Sequence, residues 1–320
     1  MTQQRRQPDL TARVGSVTLP NPVMTASGTA GHGAELAAYM DLSTLGAVVV
    51  KSLSPEPWPG NPAPRVHETA GGMLNSVGLQ NPGVAAWLDE ELPELAAAGA
   101  RVVVSIWGFT ADDYARVAKA VAAAHAAGRA RALVAVEANI SCPNIEDRRR
   151  MFAHSCPATA AAVEAAAGPL ARTGLPLWAK LSPNVTDLTE IAGAALEAGA
   201  DALTLVNTLM GLALDPATGR PRLGAGGGGL SGPALHPVAV RAVFECRAAF
   251  ASTPIVGVGG VMTGADCAEL LAAGADAVQV GTATFADPRA PARVLAELSE
   301  WCRRYQVGRL SELVGRGHGC

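Results

Sequence analysis

A chain of 320 residues that is 49% hydrophobic can bury a sizeable core, so a globular fold is expected. Its net charge of −3 provides no basic field, which argues against nucleic acid or an anionic membrane as partner and leaves small molecules. The opening MTQQRRQPDL has no apolar segment behind its arginines and no apolar run is long enough to span a bilayer, so a cytoplasmic protein is expected.

In chain order, ARVGSVTLPNPV alternates apolar and polar residues around a turn and predicts a small hairpin over about 11–23. Strands follow at PVMTASG (22–28) and LGAVVVKSL (45–53), then a long insertion rich in proline and glycine over about 54–84. A helix over 84–97 leads to AGARVVVSIWG (98–108), and a helix over 111–127 to ALVAVEANI (132–140). After a loop over about 141–157 come a helix at 158–172, LPLWAKLS (175–182), a helix at 187–198 and AGADALTLVNT (198–208). A second long insertion, about 209–236, precedes a helix at 237–250, TPIVGVGGV (253–261), a helix at 265–273, AGADAVQVGTA (273–283) and a last helix at 290–305.

The recurring Gly-Ala followed by β-branched residues carries this reading. Glycine suits the left-handed residue that ends a helix, and a continuous apolar run suits a strand buried on both faces. Thr110 with Asp113, and Thr263 with Asp266, have the spacing of capping boxes. Eight strand–helix units point to a single (β/α)8 TIM barrel over 1–320 with an N-terminal hairpin closing its bottom, and a doubly wound open sheet is the alternative. Long insertions in such a fold act as lids or binding loops.

A barrel builds its site at the C-terminal ends of its strands. Those ends read Ala26-Ser27-Gly28, Lys51-Ser52, Trp107, Asn139 to Asn144, Lys180, Asn207-Thr208, Gly259-Gly260 and Gly281-Thr282. A lysine in a buried strand needs an anionic partner. GVGGV and VGTAT supply backbone N–H groups without side-chain obstruction, which suits the phosphate of a cofactor at the last two strands. Their spacing is not GxGxxG, which argues against a Rossmann NAD site. Asn75, Asn139, Asn144 and Asn207 each offer a donor and an acceptor, as a planar heterocycle such as a pyrimidine requires. Six scattered cysteines without a CxxC pair give no framework for a disulfide-stapled domain, an iron–sulfur cluster or a structural zinc, and no metal site is expected. By spacing alone, Cys142 reads as an inert buried thiol.

The motifs NPVMTASGT, VVVKSLSPEPWPGNPAPRVHET, MLNSVGLQNPG, NISCPN, KLSPNVTD, LVNTLMGLALD, GGLSGPALHPVA, VGVGGV and AVQVGTATF, in this order, resemble the class 1 dihydroorotate dehydrogenases. The likeness runs from about 13 to about 300 and is greatest to the catalytic subunit of the NAD-linked (class 1B) type. It implies an FMN enzyme that oxidises dihydroorotate to orotate in pyrimidine (UMP) synthesis. Carried over by position, Cys142 is the base that removes the C5 proton while hydride leaves C6 for flavin N5, and Lys180 stabilises the reduced ring. Lys51, Asn75, Asn139, Asn144, Asn207 and Thr208 hold orotate, beside Met73, Gly78 and Leu79. Ala26, Ser27, Gly28, Lys51, Ser52, Asn139, Lys180, Val206, Gly232, Gly259, Gly260, Gly281 and Thr282 hold the flavin and its phosphate. A thiol with an ordinary pKa of about 8.5 is suited to accept a proton near neutrality.

The resemblance further implies a homodimer and, for NAD as oxidant, a partner subunit carrying FAD and a [2Fe–2S] centre; fumarate and quinone are the other acceptors. The chain departs from the family pattern in IEDRRRMFAHSCPA behind SCPN, where Cys156 is expected to be a loop residue, and in TAGHG, where His32 is expected at the surface. Two other readings stand beside this one. A dihydropyrimidine dehydrogenase-like enzyme acting on uracil or thymine typically has histidine at the position of Asn144 and brings iron–sulfur ligands. A flavin-binding protein without turnover does not need the set of Cys142, Lys51, Lys180 and the asparagines.

Overall fold

The computed structural model describes residues 7–141, 143–144 and 150–319. Among these, eight parallel strands form one sheet: β1 Val23–Thr25, β2 Val48–Val49, β3 Val102–Ile106, β4 Leu133–Asn139, β5 Leu177–Lys180, β6 Ala202–Leu205, β7 Ile255–Val258 and β8 Ala277–Val280. The hydrogen-bonded order is β1-β8-β7-β6-β5-β4-β3-β2. A bridge between Met24 and Ala47 joins β1 to the start of β2 and closes the ring. Thr25 reinforces the closure, its hydroxyl accepting from Val49 N at 2.8 Å and donating to Val49 O at 3.2 Å. The fold is the (β/α)8 barrel expected from the alternating segments.

The strands are mostly apolar because helices cover their outer faces and side chains fill the interior, and the polar residues they carry, among them Thr25, Ser105, Glu137, Asn139, Lys180, Thr204 and Gln279, are buried too. Three of the Gly-Ala steps behave as the helix-ending turns they suggest: Gly99, Gly199 and Gly274 have φ of +69°, +104° and +120°. Both capping boxes are present, with Thr110 accepting from Asp113 N and Thr263 from Asp266 N. The hairpin Ala12–Val14 with Val17–Leu19 turns at Gly15, which lies against Pro254 at the entry to β7 and so at the bottom of the barrel.

Two sequence expectations change. The helix over 84–97 is two helices, Val84–Asp89 and Glu91–Ala97. Pro93 is the cause: in one continuous helix its ring would meet the carbonyl of Asp89 and it has no N–H to donate there. Cys156, expected in a loop, is the first residue of the helix Cys156–Leu170, capped by Ser155, whose hydroxyl accepts from Ala158 N at 3.4 Å.

The two long insertions are joined to each other. They contribute Val66–Thr69 and Gly72–Asn75 from the first, and Leu209–Gly211 and Gly228–Ser231 from the second, to one antiparallel four-stranded sheet. At its centre Asn75 pairs with Gly229 and Met73 with Ser231. Among the described residues no helix is long and apolar enough to cross a membrane.

Candidate active site

A cavity of about 450 Å³ opens at the C-terminal ends of the strands, beneath the sheet made by the two insertions. Its position follows from the fold, since the strand ends and the loops behind them are where a barrel presents side chains to a ligand.

At one end the wall is nearly bare backbone. Gly232, Gly259, Gly260, Gly281 and Thr282 line it. A Cβ on Gly260 would lie 2.7 Å from the Gly232 carbonyl oxygen and from His236 Cβ, and Gly260 has φ +66°. A Cβ on Gly259 would lie 2.6 Å from Ala239 Cβ. These residues are glycine because the chain passes too close to the helix His236–Ala249 for anything larger. His236, 8% exposed, holds the turn by donating from Nδ1 to the Gly259 carbonyl at 2.8 Å.

Elsewhere the wall is side chain. Ser27 and Ser52 pair hydroxyl to hydroxyl at 3.1 Å, and Ser52 rests on the buried Ser105 at 2.9 Å. Asn139 donates to Ser52 Oγ at 3.1 Å, while its oxygen accepts from Asn207 Nδ2 at 3.2 Å and from Ser141 N at 3.3 Å. Asn207 Oδ1 in turn accepts from Thr208 N at 2.9 Å. A single hydrogen-bonded chain therefore links the ends of β1, β2, β4 and β6, so each amide is oriented by the next. Below it, Tyr114 donates to the Asn139 carbonyl at 2.8 Å. Lys51 lines the cavity beside Gly28, where a Cβ would stand 3.1 Å from Lys51 Nζ. Asn75 reaches the wall from the insertion sheet, its amide donating to the Gly229 carbonyl at 3.3 Å.

Lys180, at the end of β5, is 4% exposed and lines the cavity floor. Its Nζ lies 3.6 Å from Glu137 Oε1 and 3.4 Å from Gln279 Oε1. Glu137 and Gln279 are fully buried inside the barrel, and Gln279 Nε2 donates to Glu137 Oε2 at 2.7 Å. Burying these charges is tolerable only because each has an opposite or polar partner.

Of the residues singled out from the sequence, the structure brings Ala26, Ser27, Gly28, Lys51, Ser52, Asn75, Gly78, Leu79, Asn139, Lys180, Val206, Asn207, Thr208 and the glycine-end residues to this one cavity. Met73 is not on its wall; it lies in the insertion sheet opposite Ser231. Trp107 is not on its wall either; its ring packs edge-on against Phe109 with ring centres 4.8 Å apart. Cys142 lies outside the described residues. The backbone of Asn144 pairs with Arg150 in a two-residue ladder, and its side chain lies outside the described residues too.

His32 is not the surface residue expected. It is half-buried, its carbonyl accepting from Trp87 Nε1 at 2.6 Å, and burial first, then the charge of Lys51, holds its pKa below the ordinary imidazole value.

Sequence reasoning missed Ser105, Glu137, Gln279 and Asn184. Asn184 donates to the Thr208 carbonyl at 2.9 Å and accepts from Met210 N at 2.8 Å, so it shapes the loop that carries Thr208. Glu137 and Gln279 had a signal: each is a polar residue inside an otherwise apolar strand.

The residues fit a flavin mononucleotide. A backbone-walled end suits a phosphate, and an almost fully buried ammonium with no contact under 3.4 Å to Glu137 or Gln279 suits the electron-rich edge of a flavin ring. Among the described residues no group of three or more His, Cys, Asp or Glu is placed to hold a metal ion.

The dihydroorotate dehydrogenase family model matches residues 9–301. A chain of Desulforudis audaxviator named dihydroorotate dehydrogenase B (NAD(+)), catalytic subunit, is 47% identical over 308 residues, covering 95% of this chain and 96% of its own. A Geobacter sp. (strain M21) chain of the same name is 44% identical over 310 residues, covering 97% and 98%. A Solibacter usitatus chain, provisionally named dihydroorotate dehydrogenase A (fumarate), is 47% identical over 308 residues, covering 96% and 98%.

Proposed function

The chain belongs to the dihydroorotate dehydrogenase family, whose members are flavoprotein oxidoreductases of pyrimidine biosynthesis, and from that premise we propose how its residues divide the oxidation of (S)-dihydroorotate to orotate. FMN, when bound, supplies the acceptor for the hydride that leaves C6. Gly232, Gly259, Gly260, Gly281 and Thr282 take its phosphate on their backbone, where no side chain competes for the space. Ala26, Ser27, Gly28, Ser52, Asn139 and Val206 line the bed of the ring system, and Lys180 places its charge at the ring's polar edge.

The substrate lies over this bed. Lys51 pairs with its carboxylate, while Asn75, Asn144, Asn207 and Thr208 meet its alternating C=O and N–H edge, and Gly78 and Leu79 close the side. Cys142 takes the C5 proton. The reading is supported by Asn139 and Ser141, three and one residues before the thiol, both of which line the cavity. Met73 acts from behind, through the strand that carries Asn75.

The observation that carries this reading is the meeting, in one cavity, of a backbone-walled end, a buried lysine and an amide-lined end. Anaerobic mixing of the FMN-loaded protein with dihydroorotate is expected to bleach the flavin. Bleaching by dihydrouracil alone would overturn the substrate assignment, and a flavin that stays yellow with both would point to binding without turnover.

The proposed acceptor is NAD+, reached through a partner subunit carrying FAD and a [2Fe–2S] centre. The names of the Desulforudis and Geobacter relatives support it, and the Solibacter relative makes fumarate the competitor to assay. The catalytic chain is read as one barrel domain forming a homodimer in the cytoplasm. The cytoplasmic placement is supported by four free thiols among the described residues, Cys156, Cys246, Cys267 and Cys302.

A further inference from the structure

We propose that Gln279 is a spacer: it holds Lys180 off Glu137, so that the lysine charge is presented to the flavin instead of being spent inside a closed ion pair. The inference rests on the flavin site proposed above and concerns residues beneath it.

The three side chains come from β5, β4 and β8. In the sheet β4 and β8 are separated by β5, β6 and β7, yet Gln279 Nε2 donates to Glu137 Oε2 at 2.7 Å. That bond therefore crosses the barrel interior. Glu137 and Gln279 are 0% exposed and Lys180 is 4% exposed, so water does not screen the group.

An ammonium and a carboxylate in such surroundings are driven together, and a tight charge-assisted bond is about 2.7–2.9 Å long. Lys180 Nζ instead stands 3.6 Å from Glu137 Oε1, and that oxygen accepts no hydrogen bond among the described residues. Gln279 explains the gap. Its amide nitrogen draws the carboxylate through Oε2, and its own oxygen offers Lys180 Nζ a second contact at 3.4 Å. The lysine is thus balanced between two acceptors and closed onto neither, with donors left for a ligand in the cavity that it lines.

The electrical consequence has a definite sign. A cation beside the ring favours the reduced, more negative cofactor and raises its midpoint potential, while a carboxylate drawn onto that cation cancels part of the effect. Gln279 and Glu137 are therefore positioning residues with opposed influence: the glutamine preserves the field of Lys180 and the glutamate diminishes it.

The test is the midpoint potential of bound FMN in the purified holoprotein, measured by dye equilibration without substrate. K180M is expected to lower it most. Q279L, which changes no charge but removes both contacts, is expected to lower it by a tenfold shift in the reduced-to-oxidised equilibrium, about 30 mV for a two-electron couple. E137Q is expected to raise it. In the K180M background Q279L is expected to add nothing, because its influence passes through the lysine.

An unchanged or raised potential in Q279L, or a lowered one in E137Q, would overturn the spacer role. A loss of packing alone predicts lower melting temperatures without opposed signs. Should Q279L fail to fold, Q279M has nearly the same shape, and the sign of the shift in E137Q decides independently. If the wild-type protein binds no FMN, or K180M leaves the potential where it was, the flavin site itself is wrong; if K180M lowers the potential and Q279L does not, only the spacer is.

Discussion

At the ends of β7 and β8 the cavity is walled by Gly259, Gly260 and Gly281, and the atoms that face a ligand belong to the main chain. At the ends of β2, β4 and β6 it is walled by Lys51, Ser52, Asn139, Asn207 and Thr208, and the facing atoms are side-chain donors and acceptors tied into one chain. The first region fails when an atom is added and the second when an atom is removed. The pattern matches what each is proposed to hold: a phosphate is recognised by converging N–H groups, whereas a heterocycle is recognised edge by edge.

The largest expected effect separates chemistry from binding altogether. C142A should lower the rate of flavin reduction by dihydroorotate about 10²–10⁴-fold, the usual worth of a general base, while the flavin content of the purified protein stays at the wild-type level. A parallel loss of flavin would mean that the two regions are not separable.

G260A adds a Cβ where the Gly232 carbonyl oxygen stands 2.7 Å away. At about 1–3 kcal/mol for forced overpacking, FMN affinity should fall about fivefold to 150-fold, read by fluorescence titration of the apoprotein. The KM for dihydroorotate under saturating FMN should not change.

N207A removes an amide instead. One hydrogen bond of about 0.5–1.5 kcal/mol corresponds to a rise in the KM for dihydroorotate of about tenfold at most, with FMN affinity unaltered in the same titration. The smallest effect is expected from S105A, because Ser52 keeps Ser27 and Asn139 as partners when the bond from below is lost. Turnover should fall about twofold, and the variant tests whether orientation from beneath reaches the cavity.

The buried thiols give a contrast outside both regions. Cys246 has its pKa pushed up to about 12 by burial, and burial raises that of Cys267 and Cys302 as well. These thiols remain protonated and unreactive near neutrality, which is the inert fate that spacing alone suggested for Cys142.

What the sequence made legible were features that repeat locally. Each barrel strand announces itself as an apolar run because both its faces are covered, and three of them follow a left-handed glycine that ends a helix. The split at Glu90 was equally local, since Pro93 was there to be read four residues after Asp89. The insertion sheet was not legible. Its strands are short and partly glycine, and VHET, GMLN, LMG and GGLS carry no apolar–polar alternation in sequence to mark them; the pairing of Asn75 with Gly229 joins positions 154 residues apart. The triad of Glu137, Lys180 and Gln279 lies between these cases. Each member stood out as polar in an apolar strand, but which would meet depended on barrel closure, and no local rule encodes that.

That ladder between Gly72–Asn75 and Gly228–Ser231 makes two excursions of the chain one mechanical part. Asn75 belongs to the side-chain wall of the cavity, while Gly232, one residue past the other strand, belongs to its backbone wall. Lengthening either excursion shifts both walls together, so an engineer who wishes to change the substrate without disturbing the cofactor must redesign the excursions as a matched pair.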